Sequence, residues 1–344
     1  MTDLRFVTSY SRSAGSARVR VFDWIDHLAL EANGSTYLDL PANSMGALGK
    51  RLPGVVGAEL RLRREASRHD GTLLLSRQAS PFSNGSIEER LLRNAQRGVY
   101  DFDDALMFSP LTRTERIWSK RRTWARAVAS ADVVIAGNAF LAEQAERLSR
   151  EVAIVPSCVE PSEYVVKSHR DEDVPTAVWL GSPSTEQYLR TIAEPLLLAH
   201  RERGLRLIVI SAGAAPLGDL DPMVTRLDWR SETYAENLLR GDFGIMPLDD
   251  DPWTRGKCAY KLLQYSAAGL PSVASPVGAN ATVLDRTEGI AAKDPTQWGE
   301  ALVAMIDEGS DGRARRGAAA RAAIERDYSF NAWAESWKQI VFGR

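Results

Sequence analysis

An α/β protein of two parallel-sheet domains is the fold class this sequence predicts, and three observations predict it. Short apolar segments alternate with longer amphipathic stretches, the pattern of parallel strands covered by helices. The alternation runs through twice, on either side of a charged, proline-bounded stretch from Pro161 to Pro175. The chain has 344 residues, more than a single hydrophobic core of roughly 250–300 residues accommodates.

In the first half, strands are expected at Leu4 to Ser9, Thr36 to Leu40, Gly71 to Ser76, Gly98 to Phe102, Asp132 to Ala136 and Val152 to Val155, with helices between most of them. In the second half they are expected at Thr176 to Leu180, Leu205 to Ser211, Val224 to Trp229, Phe243 to Pro247 and Ser272 to Ala274. The Pro161–Pro175 stretch is the linker candidate, and a boundary near Lys167 gives domains 1–166 and 167–327. Beyond Asp294 the pattern turns helical, through Thr296 to Glu308 and Gly312 to Arg326; Arg313 to Arg321, rich in Ala and Arg, reads as a solvated helix. The tail, 328–344, places Trp333, Trp337 and Ile340 at i, i+4 and i+7, a face that packs on a core.

Composition removes several classes. With 43 Lys+Arg against 45 Asp+Glu, no global field recruits nucleic acid or an acidic membrane, so local clusters must carry any anion binding. Two cysteines, Cys158 and Cys258, make neither a disulfide framework nor a structural zinc site, which suits a reducing compartment. No apolar run approaches the roughly 20 residues that span a bilayer. Met1-Thr2-Asp3 leads straight into the first strand without a signal-peptide pattern, and the expectation is a cytoplasmic protein.

Familiar phosphate and metal motifs are missing. The turn after the first strand is Ser13-Ala14-Gly15-Ser16-Ala17-Arg18, with no G-x-G-x-x-G, which disfavours a simple dinucleotide dehydrogenase. Gly256-Lys257 imitates the end of a P-loop, yet Asp251 stands at its first glycine and Cys258 at its Mg²⁺-binding hydroxyl. His27, His69, His169 and His200 are scattered without metal spacing. There is no G-x-S-x-G elbow.

The most informative segment runs from Phe243 to Asn280. It reads as a buried strand, a polar loop, a helix opened by Gly256-Lys257, a Gly269-Leu270-Pro271 stop and a second apolar strand. A loop leading into a helix start that carries a lysine suits a phosphate, because unpaired N–H groups and the helix dipole favour negative charge there. On a helix from that point, Lys257 and Lys261 are one turn apart and project to one side. Lys257 and Lys261 read either as phosphate ligands or as an ordinary charged face. After the strand at Thr176, Gly181-Ser182-Pro183-Ser184-Thr185 offers hydroxyl and N–H donors where an α/β sheet binds ligands; a plain helix cap is the other reading of Ser184 or Thr185. Trp229 either stacks on a base or packs, and Ser231 reads as a cap. Tyr100-Asp101-Phe102-Asp103-Asp104-Ala105 closes a strand with three carboxylates. Alone, D-x-D suggests Mg²⁺ or Mn²⁺ held by a GT-A glycosyltransferase, and the doubled α/β pattern argues against that fold.

In its order of motifs, strongest from Val178 to Asn280 and including K-L-L-Q-Y-x-A-x-G-x-P from Lys261, the chain resembles GT-B glycosyltransferases of family 4. The resemblance implies two Rossmann-like domains with parallel sheets facing a central cleft, and a C-terminal helix that crosses back to the first domain. It implies transfer of a sugar from a nucleoside-diphosphate sugar to a small-molecule or glycan acceptor, with retention of configuration, no metal and no cofactor, and domain closure that keeps water from the donor. Gly181, Ser182, Ser184, Thr185, Lys257 and Lys261 then face the donor phosphates and Trp229 the nucleobase. The family's E-x7-E motif is altered: Gly256 stands at its first position and Gln264 at its second, where the amide would meet a ribose hydroxyl. The acidic contact then moves to Asp249, Asp250 or Asp251. Asp103 or Asp104 orients a sugar or assists proton transfer, with Lys257 stabilising the departing diphosphate. Gly15, Ser16 and Arg18 face a phosphate or an acidic acceptor, and Arg20 is read as a surface charge. Two alternatives remain open: a sugar-nucleotide epimerase of the same fold, and a silent nucleotide-sugar-binding protein, which the loss of the acidic pair suggests.

Overall fold

The computed structural model describes residues 4–343 apart from 42, 44, 111, 113, 114, 172 and 173. The Met1-Thr2-Asp3 lead-in and two positions of the linker candidate therefore lie outside the described residues. The chain divides into two compact units. The first is Met1–Ser157 with Arg255–Cys258 and Trp333–Arg344; the second is Cys158–Thr254 with Ala259–Ala332.

Strands of the first unit are β1 (Leu4–Thr8), β2 (Ala32–Thr36), β3 (Thr72–Ser76), β4 (Arg97–Phe102), β5 (Val133–Ala136) and β6 (Val152–Ile154). Among the described residues they form a six-stranded parallel sheet ordered β2-β1-β3-β4-β5-β6. Its helices are α1 (Gly15–Ala17), α2 (Asp23–His27), α3 (Met45–Gly49), α4 (Leu52–Glu65), α5 (Ser86–Asn94), α6 (Lys120–Ser130) and α7 (Ala139–Glu146). Leu73, Leu74 and Leu75 on β3 and Val133 to Ala136 on β5 are fully buried on both faces, as parallel strands between helical layers must be.

The second unit repeats the plan with β7 (Thr176–Leu180), β8 (Arg206–Ile210), β9 (Val224–Leu227), β10 (Phe243–Met246), β11 (Ser272–Ala274) and β12 (Ile290–Ala291). Their order is β12-β11-β10-β7-β8-β9. The accompanying helices are α8 (Ala193–Arg203), α9 (Tyr234–Leu238), α10 (Tyr260–Ala267), α11 (Ala279–Arg286), α12 (Pro295–Asp307) and α13 (Gly309–Asp327). Tyr265 fixes α10 to the middle of this sheet: its hydroxyl donates to the Ile245 carbonyl at 3.2 Å and accepts from the Leu180 N–H at 2.9 Å. Gly244 makes room for that ring, since a Cβ there would lie 2.2 Å from it.

The last helix, α14 (Phe330–Phe342), brings Trp333 onward into the first unit. Trp337 is buried and stacks on Trp24, with ring centroids 5.2 Å apart. Arg97 donates to the carbonyls of Ile340 and Val341 at 2.9 and 3.0 Å, satisfying acceptors that a helix end leaves open. The buried face is centred on Trp337 and Val341, with Trp333 and Ile340 half-buried at its margins.

The strand expected at Thr36 to Leu40 lies instead at Ala32–Thr36. It is a half-exposed edge strand without an apolar run, and its Gly34 is required because a Cβ would meet the Phe6 carbonyl at 2.4 Å. Each sheet reverses its winding once, between β1 and β3 in the first and between β7 and β10 in the second. Ligands of open α/β sheets bind outside the carboxyl ends of the strands at such points.

Candidate functional site

In the first unit, the segments leaving β3 and β4 build a charged cluster. Arg77 follows β3 with φ +63°, a conformation rarely adopted by a side-chain-bearing residue. The Tyr100 hydroxyl donates to the Arg77 carbonyl at 2.7 Å, and the Arg77 N–H donates to the Asp101 carbonyl at 2.8 Å. So held, the guanidinium lies 3.4 Å from Asp103 and 2.9 Å from Asp104. The Lys257 ammonium reaches the other oxygen of Asp104 at 2.7 Å.

These cations separate the two carboxylates chemically. Burial pushes the Asp104 carboxyl upward, but Arg77 and Lys257 together outweigh it and its pKa falls below the ordinary value. Burial also raises Asp103, where Arg77 opposes the shift and Asp104 adds to it, and the net direction is up. A firmly ionised carboxylate thus stands beside one that holds its proton to higher pH, the pairing from which acid–base roles are built. The thiol of neighbouring Cys258 is pushed up by burial and by Asp103, which disfavours a thiolate nucleophile.

Arg255–Cys258, from the loop between β10 and α10, is clamped into the first unit by Asn138. The Asn138 amide nitrogen donates to the carbonyls of Arg255 and Lys257 at 3.2 and 3.0 Å, while its oxygen caps α7 by accepting from the Leu141 N–H at 2.9 Å. Two close approaches make the clamp possible. A Cβ on Gly256 would lie 2.5 Å from that of Ala105, and one on Gly137 would lie 2.4 Å from the Cys258 sulfur.

Two sequence readings change here. The helix does not open at Gly256-Lys257: α10 begins at Tyr260, after Ala259 with φ +54°. Lys257 therefore precedes the helix that carries Lys261, and the two do not share a face of one helix start. The second change is Arg20. Instead of a surface charge it is 1 % exposed and binds Asp101 at 2.6 Å, with a further bond to the Val155 carbonyl at 2.9 Å. It sits in a π-helical turn, Arg18–Phe22, whose extra residue per turn shifts the helical phase and rotates it inward. Of the three carboxylates, Asp101 is thus a buried structural partner, while Asp103 and Asp104 remain partly accessible. In the turn after β1, Gly15 is exposed, Ser16 is half-buried and Arg18 lies 3.9 Å from Asp23.

In the second unit, Gly181 to Thr185 follow β7, at the winding reversal. Ser182 approaches Ser184 and Thr185 through its hydroxyl at 3.1 and 3.3 Å, and no side chain caps the turn that follows. The Lys261 ammonium lies 5.3 Å from the Trp179 ring centroid, a cation–π distance. A Cβ on Gly181 would meet both Trp179 and the Lys261 stem, at 2.5 and 2.7 Å. Gly181, Ser182, Ser184, Thr185 and Lys261 are accordingly one neighbourhood.

Trp229 and Gln264 form another, joined by residues the sequence did not single out. Trp229 stacks on Tyr234 with centroids 5.8 Å apart, the Tyr234 and Tyr164 hydroxyls are 3.0 Å apart, and the Gln264 amide donates to Tyr164 at 3.4 Å. Ser231 does not cap a helix; its hydroxyl donates to Glu232 at 2.5 Å. Asp251 accepts from the N–H groups of Trp253 and Thr254 at 2.7 and 2.8 Å and shapes its own loop, whereas Asp249 and Asp250 are exposed. Among the described residues no group of three His, Cys, Asp or Glu side chains is arranged to hold a metal ion, and no helix is long and apolar enough to cross a membrane.

The two six-stranded parallel sheets with their surrounding helices have the GT-B glycosyltransferase architecture. A family model described as Glycosyl transferases group 1 matches residues 175–308. Among solved structures, the chain is similar to a sucrose-phosphate synthase from Thermosynechococcus elongatus, with TM-score 0.71, 13% identity, and coverage of 100% of this chain and 99% of that one. It is similar to Anabaena Alr3699/HepE in complex with UDP-glucose, with TM-score 0.72, 13% identity and full coverage of both chains. WaaG, a glycosyltransferase involved in lipopolysaccharide biosynthesis, gives TM-score 0.66 at 14% identity, covering 99% of this chain and 100% of that one. No curated protein matches.

Gly256, where the resemblance expects a glutamate, has no space for one. Gly256→Glu is expected to destabilise the fold by about 1–3 kcal/mol through overpacking against Ala105. Thermal unfolding checks this: a variant as stable as the parent would mean that Ala105 yields easily.

Proposed function

We propose that this chain is a glycosyltransferase that moves a sugar from a nucleoside diphosphate to an acceptor nucleophile. The observation that carries the reading is the cluster in which Lys257 and Arg77 flank Asp104 beside a more weakly acidic Asp103. Support comes from the family match over residues 175–308 and from the solved complex of Anabaena HepE with UDP-glucose.

In this reading the negative charge that grows on the departing diphosphate is met by Lys257, with no metal ion required, because a fixed cation needs no reorganisation as the C–O bond breaks. Gly181, Ser182, Ser184, Thr185 and Lys261 receive the donor phosphates, Trp229 the base, and Gln264 the ribose. Gly15, Ser16 and Arg18 lie on the acceptor or phosphate side. Configuration is retained, with the leaving phosphate assisting attack by the acceptor from the same face. Asp103 takes the acceptor proton, and Asp104 fixes Lys257 and Arg77 in place.

Proton uptake by Asp103 has a definite pH signature. Its folded pKa is raised, so the proton-accepting form grows as pH rises through that value, and kcat/KM should rise with it. The stability it contributes runs oppositely, being full below the unfolded pKa and lost as pH rises through the folded one. Asp103→Asn should remove the acid-side limb of the rate profile; a limb that persists unchanged assigns the proton to another group.

Product analysis with UDP-, GDP-, dTDP- and ADP-sugars and candidate acceptors tests the function. Transfer predicts that a donor is consumed only when an acceptor is present and that a new glycoside appears. Consumption without acceptor would favour the epimerase, and binding without consumption the silent protein.

A further inference from the structure

Helices α4 and α5 and the loop that leaves β3 line a recess of about 230 Å³ that contains none of the residues of the charged cluster. Seven of its nine lining side chains carry a polar group; Phe82 and Ile87 do not. Much of this wall is fixed by the fold. The Ser80 hydroxyl donates to one oxygen of Glu59 at 2.5 Å and accepts from the Phe82 N–H at 3.0 Å. The same Glu59 oxygen accepts from the Tyr37 hydroxyl at 2.8 Å, and buried Glu88 holds the loop by accepting from the Ala79 N–H at 2.9 Å. The second Glu59 oxygen has no partner among the described residues. Nor does the Arg63 guanidinium, which lines the recess with Glu59 without forming an ion pair with it. Arg90 donates through its Nε to the Ser86 carbonyl at 3.4 Å. The Phe82 ring is set by those of Trp118 and Tyr37, which meet it at 75° and 61° with centroids 5.0 and 6.5 Å away.

We propose that this recess binds a neutral sugar unit, whose hydroxyls donate to the free Glu59 oxygen and accept from Arg63 and Arg90 while its C–H face rests on Phe82. A carboxylate oxygen without a donor and a guanidinium without an acceptor, set apart across one recess, call for a ligand that both donates and accepts. A hydroxyl does both. The lining selects against other classes. Glu59 repels a phosphate or carboxylate, and the two arginines repel a cation. The ammonium of an amino acid would find only one free carboxylate oxygen beside those arginines. An apolar ligand would leave the polar wall without partners, a costly burial. Size points the same way, since the volume lies below the ~300–1,000 Å³ of pockets that enclose drug-sized ligands. Because the loop is already held by Glu59 and Glu88, little ordering cost attends binding. The proposal does not depend on the transferase reading.

An array of neutral mono- to tetrasaccharides, with uronic-acid glycans, sulfated glycans and free amino acids beside them, tests it on the full chain without any nucleotide. Binding is expected to one or more neutral glycans, in preference to the charged ligands. In titrations with the best neutral glycan, Arg63→Gln should weaken binding about tenfold, the loss of a hydrogen bond from a charged donor, and Phe82→Ala should weaken it as well. Arg63 is exposed, so its replacement leaves the fold intact, and unaltered unfolding curves check this for both variants. Asp103→Asn, in the charged cluster, should leave this affinity unchanged. Failure of the parent to bind any neutral glycan, a preference for acidic glycans or amino acids, or an Arg63→Gln variant that binds like the parent would overturn the proposal. So would a glycan whose affinity falls with Asp103→Asn and not with Arg63→Gln, which would seat it at the charged cluster instead.

Discussion

Replacing Lys257 by alanine should lower the rate of sugar transfer by about 10²–10³-fold, the loss seen when one preorganised stabiliser of developing charge is removed, while leaving the fold intact. The lysine side chain is 22 % exposed and its partner Asp104 keeps Arg77 at 2.9 Å, so little stability rides on the ammonium. Two effects add in the rate. On the proposed reading the diphosphate loses its cation, and Asp104 loses one of the two charges that hold it ionised. Single-turnover kinetics at saturating donor separate this from weaker binding, because a group that acts in the transition state lowers kcat as well as kcat/KM. A variant that transfers at the parental rate would remove Lys257 from the chemistry.

Arg20→Met should cost about 3–5 kcal/mol of folding stability, since it leaves the Asp101 charge buried without its counter-ion. Both side chains are 1 % exposed, and Asp101 receives the guanidinium through three contacts of 2.6, 3.1 and 3.2 Å. The Val155 carbonyl loses a donor in the same change. Adding Asp101→Asn should recover a large part of the loss, because breaking a buried pair is far more costly than replacing it. Urea denaturation of the two variants decides it. A single variant within 1 kcal/mol of the parent, on the scale of an exposed pair, would show that Asp101 is not charged in the fold.

The same arginine shows where the sequence was legible and where it was not. Strands such as Thr176–Leu180 and Ser272–Ala274 lie where expected, because buried parallel strands are continuous apolar runs. β2 is displaced and β12 has only two residues, since edge strands carry little apolar signal. Arg20 was misread because its burial rests on tertiary partners, Asp101 on β4 and the Val155 carbonyl, which no local pattern announces. Lys257 was placed on a helix because Gly256-Lys257 resembles a helix start, whereas the left-handed Ala259 and the Asn138 clamp come from tertiary contacts. Asp103 and Asp104 were visible as residues. Their division into a strongly and a weakly acidic carboxyl depends on Arg77, which has no local sequence signature and is fixed by a backbone conformation seen only in three dimensions. Tyr164 and Tyr234, which join Gln264 to Trp229, are likewise a product of folding.

The central claim is that Lys257 grips the diphosphate of an activated sugar. Isothermal titration of the parent and of Lys257→Ala with UDP, GDP, dTDP and ADP tests it most directly. One of these nucleotides should bind the parent, and the variant should bind that nucleotide about tenfold or more weakly, the equivalent of at least 1.4 kcal/mol. Equal affinity in the two proteins, or no binding of any nucleoside diphosphate to the parent, would contradict the account.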